Sequence, residues 1–383
     1  MHDTIDRLTD GSRPSESFVY VGSRTSRHRE GKGAGIEVFR VSGDLEDWSR
    51  VQSFSLSNPS WLVASPTGSV IYAVHGDGNT VRVLRRDRRT GLLGFIDEVD
   101  SGGTNPVHAA LTPDGRFLVV ANHNSGTVAV LPLRGDETLG DPVSVLELVG
   151  ELGPHRRDQN GAKPHQVVFD PSGAFLLVPD KGMDSVFILE IDDDGTLTMD
   201  PGRTVRLREM SGPRHIIFSP NGRHAWSVEE FRSTVTSYDW DPERGRLAVR
   251  QVLSALPETM TGDSRGAEIA CHPDGRHVYV SNRGGPGDAS PGGFYPDTIA
   301  TFDVEDGLLL RPRWVTTAGI RPRFFKIDPS GRALVVAHER GHSIGVHPLT
   351  PSTGSPGDPV TAATTGSPVA LLFIPVGTAR QLI

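Results

Sequence analysis

Asp170-Pro171-Ser172-Gly173 sits between two apolar runs, His165-Gln166-Val167-Val168-Phe169 and Phe175-Leu176-Leu177-Val178. Asp, Pro and Gly at positions one, two and four are the residues of a tight type I turn. The β-rich, alternating flanks make the phrase a hairpin between two strands. It returns as Ser65-Pro66-Thr67-Gly68, Thr112-Pro113-Asp114-Gly115, Ser219-Pro220-Asn221-Gly222, His272-Pro273-Asp274-Gly275 and Asp328-Pro329-Ser330-Gly331. The six glycines lie 47, 58, 49, 53 and 56 residues apart. That period is too long for most helical repeats and fits a four-stranded propeller blade with loops of varying length.

Each repeat reads alike. Strand a ends in the turn and strand b returns, as in His277-Val278-Tyr279-Val280. A polar loop such as Ser281-Asn282-Arg283-Gly284 precedes strand c, Thr298-Ile299-Ala300-Thr301-Phe302, and a variable strand d completes the unit. Upstream of the first turn, Phe18–Ser23, Gly35–Val41 and Val51–Phe54 read as strands b, c and d of a blade without a strand a. The run Pro368–Ile374 supplies the missing strand. The fold expected is therefore all-β: a seven-bladed propeller of four-stranded antiparallel blades, closed by N- and C-terminal strands in one blade. Closure removes sheet edges that would otherwise invite pairing. Residues 17–383 are read as one domain, 1–16 as a mobile tail, and Pro351–Pro359 as a loop of the last blade.

Composition narrows the function. The net charge of −8, with no long Lys/Arg run, argues against a nucleic-acid partner. No run of about 18 apolar residues exists, so no membrane helix is expected. The single cysteine, Cys271, excludes an intramolecular disulfide framework and fits a reducing, cytoplasmic compartment. The N-terminal residues show no secretory h-region. Oligomeric state is left open between monomer and dimer.

The hairpin logic puts the a–b turns on one face of the ring. Residues leading into strand a and those in the b–c loops share the other face, at the channel mouth. The first set includes His108, His165, Arg214, His215, Glu268 and Arg323. The second includes His75, His123, Asp180-Lys181, Glu229-Glu230, Asn282-Arg283 and His338-Glu339. Any one polar rim residue is explained by strand ends and channel water. Four ionisable groups at equivalent positions, His165, Arg214, Glu230 and Arg283, are not explained by turn chemistry. His108 and His215 are either packing residues or part of the site. Asp180 and Lys181 either pair with each other or face the mouth. Of Glu229 and Glu230 only one can point inward, because strand neighbours face opposite ways.

Lys163-Pro164-His165-Gln166, Gly212-Pro213-Arg214-His215, Pro322-Arg323-Phe324-Phe325 and the segment Gly266-Ala267-Glu268-Ile269 through Asn282-Arg283-Gly284 carry a resemblance. The chain resembles the seven-bladed propeller lactonases, which include propeller-type 6-phosphogluconolactonase and the carboxymuconate lactonizing enzymes. The resemblance covers roughly residues 17 to 375. It implies a catalytic set of His165, Arg214, Glu230 and Arg283, a small-molecule lactone substrate, and no metal or other cofactor. In this reading His165, Glu230 and Arg214 are catalytic, and Arg283, His215, His108, Glu268 and Arg323 bind substrate. The chain departs from the family pattern at Lys163, where a histidine is common, at His75-Gly76, and in an insertion, Gly285–Pro296, expected to act as a lid. Three functions follow as expectations: hydrolysis of an anionic sugar-acid lactone, cycloisomerisation of a carboxymuconate-type lactone, or a non-catalytic binding platform. A metal-dependent site recruiting Glu268, Asp180 and Asn282 is a weaker fourth.

Overall fold

The computed structural model describes residues 16–285 and 296–376. These residues form seven antiparallel sheets arranged as blades. Blade one pairs Pro368–Pro375 with Ser17–Ser23, then Gly35–Val41 and Trp48–Ser55. Its closing register, Tyr20 opposite Leu372 and Ser17 opposite Pro375, joins the two ends of the described chain. Blades two to seven open with inner strands Pro59–Ala64, Pro106–Leu111, Val168–Phe169, Pro213–Phe218, Ser264–Cys271 and Pro322–Ile327. Blade four departs from four strands: its outer strand is split into Leu197–Met199 and Val205–Arg206, both paired with Ser185–Ile191.

All six turn phrases form the expected hairpins. In each, the glycine N–H donates to the carbonyl of the first turn residue at 2.8–2.9 Å, and the glycine adopts φ between 68° and 78°. That is left-handed space, which a residue with a Cβ occupies at a cost.

The core lies between blades. Val119, Val128, Val178 and Phe187 join blades three and four; Trp226, Val228, Val280 and Phe302 join blades five and six. A recurring bond reinforces this packing. In four blades an aromatic residue of strand b, the fourth in Ser17–Ser23 and the third in the others, donates to the c–d turn of the next blade. The donors are Tyr20 to Gly91 O, Tyr72 to Glu137 O, Trp226 to Gly307 O and Tyr279 to Gly354 O, at 2.7–2.9 Å. A buried ring thus fills the wedge while its polar atom is satisfied.

Two expectations fall largely outside the described residues: the tail and the insertion loop. Glu16, assigned to the tail, belongs to the sheet margin, where its carbonyl accepts from Val376 N–H at 2.8 Å. Among the described residues no helix is long and apolar enough to cross a membrane.

Candidate active site

Each full-length inner strand of blades two to seven breaks register near its start. The shifts fall between Pro59 and Trp61, Pro106 and His108, Pro213 and His215, and Pro322 and Phe324. Blade six shifts between Gly266 and Ile269. A bulge leaves its extra residue unpaired and re-aims it. The residues so displayed, Ser60, Val107, Arg214 and Arg323, line one cavity of about 150 Å³ at the channel mouth. His165 holds the equivalent place in blade four and lines the same cavity. Strand pairing there begins only at Val168, so His165 precedes the strand rather than starting it. It is anchored by its N–H, which donates to Pro179 O at 3.0 Å.

The residues one step further along the inner strands make a floor. Trp61 lies tilted against His108 with centroids 3.9 Å apart and meets Phe324 edge-on at 5.4 Å. His108 meets His215 at 5.7 Å, and His215 Nδ1 lies 2.7 Å from Glu268 Oε1. Gln166 accepts from Ile216 N–H at 2.6 Å. Beneath the floor a separate cavity of about 200 Å³ is lined by Leu62, Leu372, Glu268 and Lys326. His108 and Glu268, read as substrate-binding, therefore stand one layer below the mouth cavity. His215, in the floor, does line it.

The acidic doublet splits as strand geometry requires. Glu229 ends strand b and turns into the sheet, where Ser227 and Thr234 hydroxyls donate to it. Burial pushes its pKa up to about 7. Glu230 takes the inward place. Its carboxylate lies 2.8 Å from Lys181 Nζ, 3.3 Å from Arg283 Nη2 and 3.5 Å from Arg214 Nε. Asp180 and Lys181 do not pair with each other. Asp180 accepts from Lys163 and Met183 N–H at 2.6 and 2.9 Å, while Lys181 reaches across to Glu230. Arg283 belongs to strand His277–Gly284, not to the loop, and is fully buried. It braces Glu230 from outside the mouth cavity and also donates to Gly266 O at 3.2 Å.

The mouth is strongly cationic. Besides Arg214, Arg323 and Lys181 it is lined by Arg24 and Arg29 from the loop after the first strand b. Arg24 pairs with Glu339 at 2.6 Å, and Arg29 makes a two-pronged contact with Asp77. Neither arginine was legible as a site residue, because blade one carries no turn phrase to set its register. His123 and Lys181 were legible as rim residues only.

His165 sits among these charges. Burial, then the Arg214 and Lys181 charges, hold its pKa well below the usual imidazole value, so it is neutral. Its Nδ1 is buried with no hydrogen-bond partner. Burial and Lys181 likewise bring His123 down to about 3. Burial and the Arg323 and Arg283 charges lower Arg214, although a guanidinium keeps its proton across the neutral range. The arrangement offers a neutral base beside fixed cations, one of them set by a buried carboxylate. Among the described residues no group of three or more His, Cys, Asp or Glu side chains is placed to hold a metal.

Residues 18–373 match the family described as Lactonase, 7-bladed beta-propeller. The chain belongs to that family. Over 88% of its length it is 31% identical to a 6-phosphogluconolactonase of Bacillus subtilis, covering 92% of that protein. It is 30% identical to a 6-phosphogluconolactonase of Formosa agariphila, again over 88% of this chain and 93% of the relative. Among solved structures, the periplasmic gluconolactonase of Pseudomonas aeruginosa superposes with a TM-score of 0.84 at 29% identity, covering 94% of this chain and 100% of the other. Membership agrees with the resemblance read from the Gly-Pro-Arg-His and Ser-Asn-Arg-Gly phrases. In blades two, three, five and seven the opening proline is followed by the residue that the bulge turns toward the mouth, Arg214 of the Gly-Pro-Arg-His phrase among them.

Proposed function

We propose that the mouth hydrolyses an anionic sugar-acid lactone without a metal, with His165 as general base. The observation that carries this reading is the His165 imidazole beside Arg214, Lys181 and Arg323 in one small cavity, where burial and the Arg214 and Lys181 charges disfavour its protonated form. A lactone is a cyclic ester, so its hydrolysis needs an activated water and donors for the tetrahedral oxyanion. Arg214 is the group placed for the oxyanion, held by Glu230 on one side and by the carbonyl of Ala267 on the other. Lys181, Arg323 and Arg24 suit a phosphate or carboxylate on the substrate. Such an anion offsets the charges that depress His165 and makes it a stronger base when substrate is bound. Arg283, read from sequence as a substrate ligand, acts here through Glu230.

The test is hydrolysis by the purified protein, with EDTA present, of 6-phosphogluconolactone, gluconolactone and a muconolactone, each corrected for spontaneous opening. Turnover that favours the phosphorylated or carboxylated ring supports the proposal. Turnover of the uncharged ring alone refutes the role given to the cations, and turnover that requires added metal refutes the metal-free reading. Ring closure or opening confined to the muconolactone favours the cycloisomerase. A folded protein inert on all three favours the binding platform.

A further inference from the structure

His165 accounts for one proton transfer, but opening an ester ring needs two: one from the attacking water, one to the departing alkoxide. The floor supplies a second imidazole that faces the same cavity. His215 lines the mouth with His165, their ring centroids 5.2 Å apart. Behind it stands Glu268, 6% exposed, with Oε1 2.7 Å from Nδ1.

Two contacts bear on where the proton of this pair resides. Arg214 Nη1 approaches the same Nδ1 at 3.5 Å. A guanidinium only donates, so that contact is favourable when Nδ1 carries a lone pair rather than a proton. The short contact to Glu268 is then a hydrogen bond donated by the carboxyl group, whose Oε1 also accepts from Ile269 N–H at 3.1 Å. Glu268 Oε2 agrees, for it is buried with no hydrogen-bond partner. An ionised carboxylate would leave charged lone pairs unmet there, at high cost.

We propose that Glu268 and His215 form the acid limb of the lactonase reaction: a protonated Glu268 holds His215 as its Nε2–H tautomer, which protonates the leaving oxygen. The proposal rests on the lactonase reading above. Water adds to the carbonyl carbon as its proton passes to His165. The ring C–O bond then breaks, the alkoxide takes the Nε2 proton of His215, and the Glu268 proton moves to Nδ1. The products are the ring-opened hydroxy acid, a His165 imidazolium and a Glu268 carboxylate beside neutral His215. Passage of the His165 proton through solvent to His215 Nε2, with the Nδ1 proton returning to Glu268, resets the site. The charged and titratable groups acting on the pair are Arg214, Arg323, Arg283 and Glu230, with His108 and His165 beside His215 and Lys326 near Glu268. Burial dominates their charges: it holds His215 well below the usual imidazole value and raises Glu268 to about 7.

Glu268→Gln tests this. The glutamine amide can donate to Nδ1 and keep the tautomer, but it has no proton to hand on. For whichever alkyl sugar lactone the wild-type protein opens, kcat should fall about 10²-fold with KM little changed. For dihydrocoumarin, whose phenolate leaves without protonation, the loss should be no more than a few-fold. Wild-type kcat on the alkyl lactone should decline above about pH 7, as Glu268 ionises, and the variant should lack that limb. Equal losses on both lactones, or an alkaline limb kept in the variant, overturn the proposal. A measurement on the unmutated protein stands apart from folding of the variant: ¹⁵N NMR should show His215 neutral and protonated at Nε2. Protonation at Nδ1 overturns the proposal and leaves the lactonase reading standing. A wild-type protein that opens no lactone overturns that reading, and the acid limb with it.

Discussion

Glu230→Gln removes one carboxylate from beneath three cations. Glu230 is 5% exposed, and Lys181, Arg283 and Arg214 lie at 2.8, 3.3 and 3.5 Å from it. Breaking a buried ion network by removing one partner costs about 3–5 kcal/mol, because the remaining charges stay desolvated and now repel one another. Unfolding entropy of about 2.1 cal/mol/K per residue, over 383 residues, is roughly 0.8 kcal/mol/K. The expected fall in Tm is therefore about 4–6 °C. Calorimetry of wild type, Glu230→Gln, Lys181→Met and the double variant reads it directly. In the double variant one surplus cation is gone, so stability should recover by at least about 1 kcal/mol relative to additive losses. A Glu230→Gln protein that melts within about 1 °C of wild type, or strict additivity, refutes the claim that this carboxylate holds the cluster together.

Three further outcomes are expected. Arg323→Ala should raise KM for the anionic lactone about 10-fold with kcat nearly unchanged, since a charge-assisted contact to a ground-state anion is lost; steady-state kinetics on charged and uncharged lactones check it. Tyr72→Phe deletes the hydroxyl that donates to Glu137 O at 2.7 Å and should cost about 1 kcal/mol in denaturant unfolding. His338 is fully buried and its pKa is lowered to about 4, chiefly by burial. Its folded value lies below the unfolded one, so proton uptake favours unfolding and stability is lost as pH falls from about 6.5 towards 4. Relative to His338→Gln, in which the other titrating groups cancel, the wild type should lose about 2 kcal/mol between pH 7 and pH 5.

The turn phrases carried the architecture because each sets a hairpin locally, and six at blade-length spacing leave little choice of fold. Ring closure was legible for the same reason: the blade of Phe18–Ser23 lacked a strand a, and Pro368–Ile374 could supply it. The site was legible as a rim but not as two layers. A bulge offsets pairing by a single residue, which hydrophobic alternation does not encode, so Arg214 and Arg323 at the mouth could not be told from His108 and Glu268 in the floor. The repeated proline before each displayed residue, at 59, 106, 164, 213 and 322, was the available signal. Lys181 was readable as a rim residue or as a partner for Asp180, its chain neighbour. Its reach to Glu230 depends on how blades four and five abut, which no local pattern records. Arg283 was placed in a loop because Asn282-Arg283-Gly284 looks like turn sequence, whereas strand pairing to Ser264–Gly266 continues through it.

The central claim is that His165, displayed at the mouth of blade four, takes the proton from the attacking water. Steady-state kinetics of His165→Ala on the preferred lactone, with the fold checked by circular dichroism, tests it most directly. The account expects kcat to fall about 10²–10⁴-fold while the protein remains folded. Wild-type turnover in that variant would contradict it.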